Sequence, residues 1–132
     1  MSNKWLFKID LQDESVFEKY EKDYHMVFPS ELKAFVEENN ACSPELNIVE
    51  LNDIERVYDE TLSFNAHEEE AVTFDSAMKA VNRKECIPFA RDPFGNYFCY
   101  SIGKGTVCFY NHEEDSIESS DMNLNQFIDA LH

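Results

Sequence analysis

The stretch Ile87-Pro88-Phe89-Ala90-Arg91-Asp92-Pro93-Phe94-Gly95-Asn96-Tyr97-Phe98-Cys99-Tyr100 reads as strand, turn, strand. Cys86 to Ala90 is a short apolar strand. Arg91 to Asn96 carries Pro and Gly where turn chemistry prefers them. Tyr97 to Ile102 then pairs with Thr106 to Tyr110 around Gly103-Lys104-Gly105. With Lys104-Gly105 as a two-residue turn, Phe98, Tyr100 and Ile102 share one face with Val107 and Phe109. A one-residue slip would break that continuous apolar face, so the pattern selects this register.

Working toward the C-terminus, His112-Glu113-Glu114-Asp115 is an exposed loop, and Ile117 opens a last short strand. Leu124, Phe127, Ile128 and Leu131 then fall at helical spacing, with Asp121 or Asn123 near the N-cap. Toward the N-terminus, Phe74, Ala77, Met78 and Val81 define a helix from about Thr73 to Asn82. Asn65 to Glu70 is an acidic loop. Leu46 to Leu51 alternates as a strand, and Ile54 to Phe64 is ambiguous, with room for a second strand around Arg56-Val57-Tyr58. Val16, Phe17, Tyr20 and Tyr24 mark a helix over Asp13 to Tyr24. Pro29-Ser30-Glu31 opens another, with Leu32, Phe35 and Val36 as its stripe. Asn39-Asn40 closes it, since Asn tolerates the left-handed C-cap. Helices segregated from antiparallel strands predict an α+β fold, an antiparallel-rich mixed sheet backed by helices. The length, 132 residues, suits one domain over 1–132.

Charge is the strongest compositional signal. Asp+Glu is 27 against 11 Lys+Arg, a net −16. Phosphates and anionic headgroups need cationic partners, so this balance opposes direct binding to nucleic acid or membranes. It favours a basic partner met by long-range attraction, although acidic surfaces also serve solubility. The charge is uneven: residues 44–78 carry net −9 and residues 112–132 net −6, on either side of a segment 79–111 of net +3. The start of the chain lacks the apolar run of a signal peptide, and no stretch approaches the about 20 apolar residues of a membrane span. The expected compartment is the cytosol. Cys42, Cys86, Cys99 and Cys108 have no Cys-x-x-Cys spacing, and reduced, buried thiols are expected.

Catalytic patterns are scarce. His67-Glu68-Glu69-Glu70 and His112-Glu113-Glu114-Asp115 lack the helical spacing that puts two ligands on one face, so solvated acidic loops are expected in place of metal sites. There is no nucleophile elbow and no phosphate-binding glycine loop. Cys42, after a helix C-terminus, is poorly placed for activation. No catalytic residue, metal or cofactor is assigned. What remains is a surface for binding: Asp92, Asn96, Tyr97, Tyr110 and His112 near the hairpin, with the acids Glu113, Glu114 and Asp115 and the loop acids Glu68, Glu69 and Glu70. Tyr suits an interface anchor, and carboxylates pair with Arg or Lys. The alternation of Phe98, Tyr100 and Phe109 points instead to packing under the terminal helix.

Four segments, in order, resemble the SUKH superfamily, the Smi/Knr-like domains. They are Phe28-Pro29-Ser30-Glu31-Leu32-Lys33-Ala34-Phe35, then Ile87 to Tyr100, then Val107-Cys108-Phe109-Tyr110-Asn111-His112-Glu113, and last Asn125-Gln126-Phe127-Ile128-Asp129-Ala130-Leu131. The chain departs from that pattern at Asn39-Asn40-Ala41-Cys42, where many members have Asn followed by glycines, and in the acidic stretch 65–70. The resemblance implies a sheet backed by helices. It also implies a role, because bacterial members are chiefly immunity proteins that bind and neutralise toxins, often nucleases, and fungal members are regulators. The expectation is therefore an immunity protein, a monomer or weak homodimer, whose acidic blocks 44–78 and 112–121 meet a basic toxin. The rivals are a non-toxin regulatory or scaffold module of the same fold, and a metal-dependent enzyme using His67 or His112.

Overall fold

The computed structural model describes residues 3–132; Met1 and Ser2, the start of the span read as one domain, lie outside the described residues. In chain order the elements are β1 (Trp5–Leu6), α1 (Val16–Tyr24), α2 (Ser30–Asn39), β2 (Ser43–Pro44), β3 (Ile48–Leu51), β4 (Ile54–Val57), β5 (Glu60–Thr61), α3 (Phe74–Val81), β6 (Cys86–Arg91), β7 (Tyr97–Ser101), β8 (Val107–Asn111), β9 (Ser116–Ser119) and α4 (Leu124–Asp129). Strands β5-β6-β7-β8-β9 form one antiparallel sheet in that order. Two antiparallel ribbons, β1–β2 and β3–β4, complete an α+β fold. Among the described residues no helix is long and apolar enough to cross a membrane.

The expected helices form, and their ends follow local chemistry. The Thr73 hydroxyl accepts the Ser76 N–H at the start of α3, and Asn82 closes it in the left-handed conformation. Asn123 and Gln126 make a reciprocal capping box at the start of α4. α1 begins later than expected: the Asp13 carboxylate accepts the N–H and hydroxyl of Ser15, making a local turn that delays the helix to Val16. The exit of α2 also differs. Asn40 is extended, and Ala41 is the left-handed residue, at φ 58°. The Asn40 amide is buried, donating to the Ile9 carbonyl and accepting the Phe64 N–H, so it tethers two distant segments and does not cap.

One hairpin departs from expectation, and another resolves the ambiguous region 54–64. Tyr100 pairs with Val107, and five residues, Ile102 to Thr106, connect β7 to β8. Both favoured two-residue turns need positive φ at Lys104, and of the pair only Gly105 has it, at 68°. The pairing moves by two places, so the shared face of Phe98, Tyr100, Val107 and Phe109 survives, while Ile102 leaves the strand and is 40% exposed. The second strand of the ambiguous region is β4. It pairs with β3 through a two-residue turn, Asn52-Asp53, both left-handed. Val49 and Leu51 of β3 face the core, and Leu46 and Ile48 are half-buried. Tyr58, just beyond β4, is wholly buried, with its hydroxyl 2.6 Å from that of Thr61.

The core is aromatic. Phe17, Tyr20, Phe28, Phe64 and Phe74 cluster where α1 meets α3. Phe98 and Phe109 of the sheet pack together, and Tyr58, Phe89 and Phe98 pack on Phe127 of α4. Phe98 thus lies under the terminal helix as the alternation required, with Phe109 packed against it. The other face of the sheet carries a smaller cluster of Val81, Cys86, Cys99, Cys108 and Tyr110. All four cysteines are buried and free, and burial pushes the Cys42 thiol upward in pKa.

Candidate partner-binding surface

The β6–β7 turn is built around one carboxylate. Asp92 Oδ1 accepts the N–H groups of Phe94 and Asn96, each at 2.9 Å, and Oδ2 accepts the Asn96 side-chain amide at 2.8 Å. Asn96 Oδ1 in turn accepts the His112 N–H at 3.0 Å, tying the β6–β7 turn to the β8–β9 turn. Both side chains are buried. Asp92 and Asn96, expected to face a partner, are thus held by bonds within and between the turns, and with little exposure they line the cleft where those turns meet β4. Gly95, at φ 89°, suits the turn by its backbone and leaves room for a neighbouring side chain. Its backbone is left-handed, and an added Cβ would stand 3.3 Å from the His112 ring.

Tyr97 and Tyr110 sit opposite each other on β7 and β8. Tyr110 is only 5% exposed. Its hydroxyl donates to Asp115 Oδ1 at 2.8 Å, and the Arg83 guanidinium lies over its ring while bonding the Asp115 carboxylate and carbonyl. The bond to Asp115 raises the Tyr110 pKa, and the Tyr110 hydroxyl, then Arg83, hold the Asp115 carboxyl below its usual range. Tyr110 and Asp115 thus satisfy each other. Tyr97 stays half-buried, while His112, Glu113 and Glu114 are exposed. Asn111 Oδ1 accepts the N–H groups of Glu113 and Glu114 and so fixes their loop.

A cleft of about 250 Å³ lies where these turns meet β4. Arg56 lines it but is already engaged: it pairs with Glu118 at 2.9 Å and lies 4.1 Å from the Phe109 ring centroid. Glu55 and Glu113 also line it, are exposed, and make no ion pair among the described residues. Beside them Phe94 is 70% exposed. Phe94 was not singled out from sequence. The signal was there: an aromatic between Pro93 and Gly95 sits at a turn tip, where no neighbouring element can cover it.

The loop acids lie elsewhere. Glu68 accepts from the Ser63 hydroxyl, the Asn65 amide and the Glu70 N–H, closing its own loop. Burial pushes its pKa up, but those hydrogen bonds outweigh it and the net shift is downward. Glu69 and Glu70 are exposed. Among the described residues, no hydrogen bond or ion pair joins this loop to the turns at 92–96 and 112–115. His67 lines a separate cleft beside α1, with Asp13, Ser15 and Lys19. No group of three or more His, Cys, Asp or Glu among the described residues is placed to hold a metal ion.

No curated protein matches the chain in sequence. A family model does: the SMI1 / KNR4 family (SUKH-1), over residues 12–130. That span holds all four helices, the five-stranded sheet and both turns of the cleft. On this match, and with a fold of the kind the four ordered segments implied, the chain belongs to the SMI1 / KNR4 family (SUKH-1).

Proposed function

We propose that the chain is an immunity protein, one domain over residues 1–132, that neutralises a partner toxin in the cytosol by direct contact. It does so as a monomer or weak homodimer and without catalysis. The toxin carries a basic surface, and a nuclease, whose groove must attract phosphates, is the class that supplies one. Membership of a family rich in immunity proteins supports this reading. One observation carries it. At the sheet end, Glu55 and Glu113 flank the exposed Phe94, and among the described residues no cation pairs with them. An aromatic anchor ringed by unpaired carboxylates suits an Arg- or Lys-rich surface. Across the described residues, seven ion pairs each engage a different carboxylate, which leaves most of the 27 to be met from outside.

The test is co-purification with the product of a neighbouring toxin gene, followed by binding and toxin-activity assays over a salt series. A complex that abolishes the toxin's activity, and whose affinity falls steeply with salt, is expected. Pairing Glu113→Lys with Glu114→Lys should weaken it by about tenfold or more. Absence of a complex, or an affinity indifferent to salt, would sink the proposal. A complex with a neighbour that is not a toxin would favour the regulatory reading.

A further inference from the structure

Between α2 and α4 the surface opens into a groove of about 890 Å³, sharing no lining residue with the cleft at the sheet end. Its floor is apolar: Trp5 from β1, Phe35 from α2 and Ile128 from α4, each half-buried. Trp5 is held edge-on against both Phe35 and Tyr58, with ring centroids 5.7 Å away in each case, so the floor is preformed. Its rim is acidic. Glu31, Glu37 and Glu38 line the α2 side and Asp129 the α4 side, all exposed. None of these four makes an ion pair among the described residues, and no Lys or Arg lines the groove.

We infer that this groove binds an amphipathic basic helix of a partner protein. Two of its walls are helices whose backbone groups bond within themselves, so an extended segment would find a ladder only at the two-residue β1. A helix brings its own satisfied backbone, lays an apolar stripe on Trp5, Phe35 and Ile128, and directs Lys or Arg at the carboxylates on either side. α2, with ten residues, provides a wall about 15 Å long, enough for two to three turns of guest helix. A second copy of the chain is a poor guest, because its net charge of −16 would meet four more carboxylates. The inference stands apart from the toxin reading, since it concerns another surface and any partner carrying such a helix.

Trp5 is the sequence's one tryptophan, so its emission reports on the groove directly. The probe is a synthetic Leu/Lys peptide of about 18 residues without Trp, with Leu at helical spacing, titrated into the full chain. A permuted peptide of the same composition, without an apolar stripe, is the control. Expected are a saturable, one-to-one change in Trp5 emission with the amphipathic peptide and at least about tenfold weaker binding of the permuted one. Combining Glu37→Lys with Glu38→Lys should cost about tenfold in affinity, against about twofold or less for Glu69→Lys with Glu70→Lys on the far loop. All four positions are exposed, and far-UV circular dichroism checks that each variant folds. No saturable change, equal binding of both peptides, or equal loss in both double variants would overturn the inference. So would a dimer in sedimentation velocity that buries Trp5 and excludes the peptide.

Discussion

Asp92 and Phe94 sit two residues apart on one turn and have opposite tasks. Asp92 is buried and accepts three hydrogen bonds; Phe94 is mostly exposed and packs on little. Asp92→Ala leaves two backbone N–H groups and the Asn96 amide without their acceptor. It should destabilise the fold by about 3 kcal/mol in urea unfolding. Phe94→Ala should leave stability within about 0.5 kcal/mol, yet cost about 1–2 kcal/mol in partner binding by calorimetry if Phe94 anchors the complex. Equal stability losses in the two variants would contradict this division. At this scale the sequence was only half legible. Asp-Pro-Phe-Gly-Asn announced a turn, but residue types do not say which side chain faces inward. A short Asp and an Asn bonded to their own loop are indistinguishable in sequence from the same residues offered to a partner. Tyr110 was hard to place for a related reason: its hydroxyl finds Asp115 within its own turn, and the cation over its ring, Arg83, lies 32 residues before that Asp115.

Elements were easier to read, because periodicity integrates over many residues. α3 and α4 appeared from apolar spacing alone, and Asn123 was one of two N-cap candidates for α4. The capping box of α4 can be measured: Asn123→Ala removes the acceptor for the Gln126 N–H and should cost about 1 kcal/mol in urea unfolding. A cost near zero would mean that packing of Leu124 and Phe127 alone holds the helix. Connections were harder to read, because they turn on the backbone angles of one or two residues. Lys104-Gly105 looked like a two-residue turn, but the Cβ of Lys104 disfavours the left-handed angle such a turn demands. Asn52-Asp53, which does adopt it at both positions, went unrecognised between two short strands. The two-residue strands β1, β2 and β5 carry too few side chains for any alternation to show. Their consequence is functional, since β1 delivers Trp5 to the groove between α2 and α4.

For the whole molecule, charge sets two opposing trends with pH. At neutral pH the net −16 repels itself, and few cations lie close enough to offset it. Lowering the pH toward the isoelectric value of about 4.4 removes that charge, so stability should rise from pH 7 to about pH 5. Four carboxylates act the other way, the first being Asp13, bonded by the Ser15 hydroxyl and N–H, whose pKa lies below its usual 3.8. Asp75, bonded by the Tyr24 hydroxyl and then Lys79, Asp115, bonded by Tyr110 and Arg83, and Glu68 in its loop all have folded pKa values below their usual 3.8 or 4.5. A depressed carboxyl stabilises the fold fully above its unfolded value. It loses that contribution as the pH falls through the folded value, because the unfolded chain then takes up the proton first. Stability should therefore pass through a maximum near pH 5 and fall below about pH 4. Salt separates the causes. At about 0.5 M NaCl the screening length shrinks to a few ångströms. The gain between pH 7 and pH 5 should then vanish, while the loss below pH 4, which comes from short hydrogen-bonded contacts, should remain. Thermal unfolding followed by circular dichroism at low and high salt decides this. If the rise toward pH 5 survives in high salt, the acidic surface is not under strain, and its carboxylates are simply solvated.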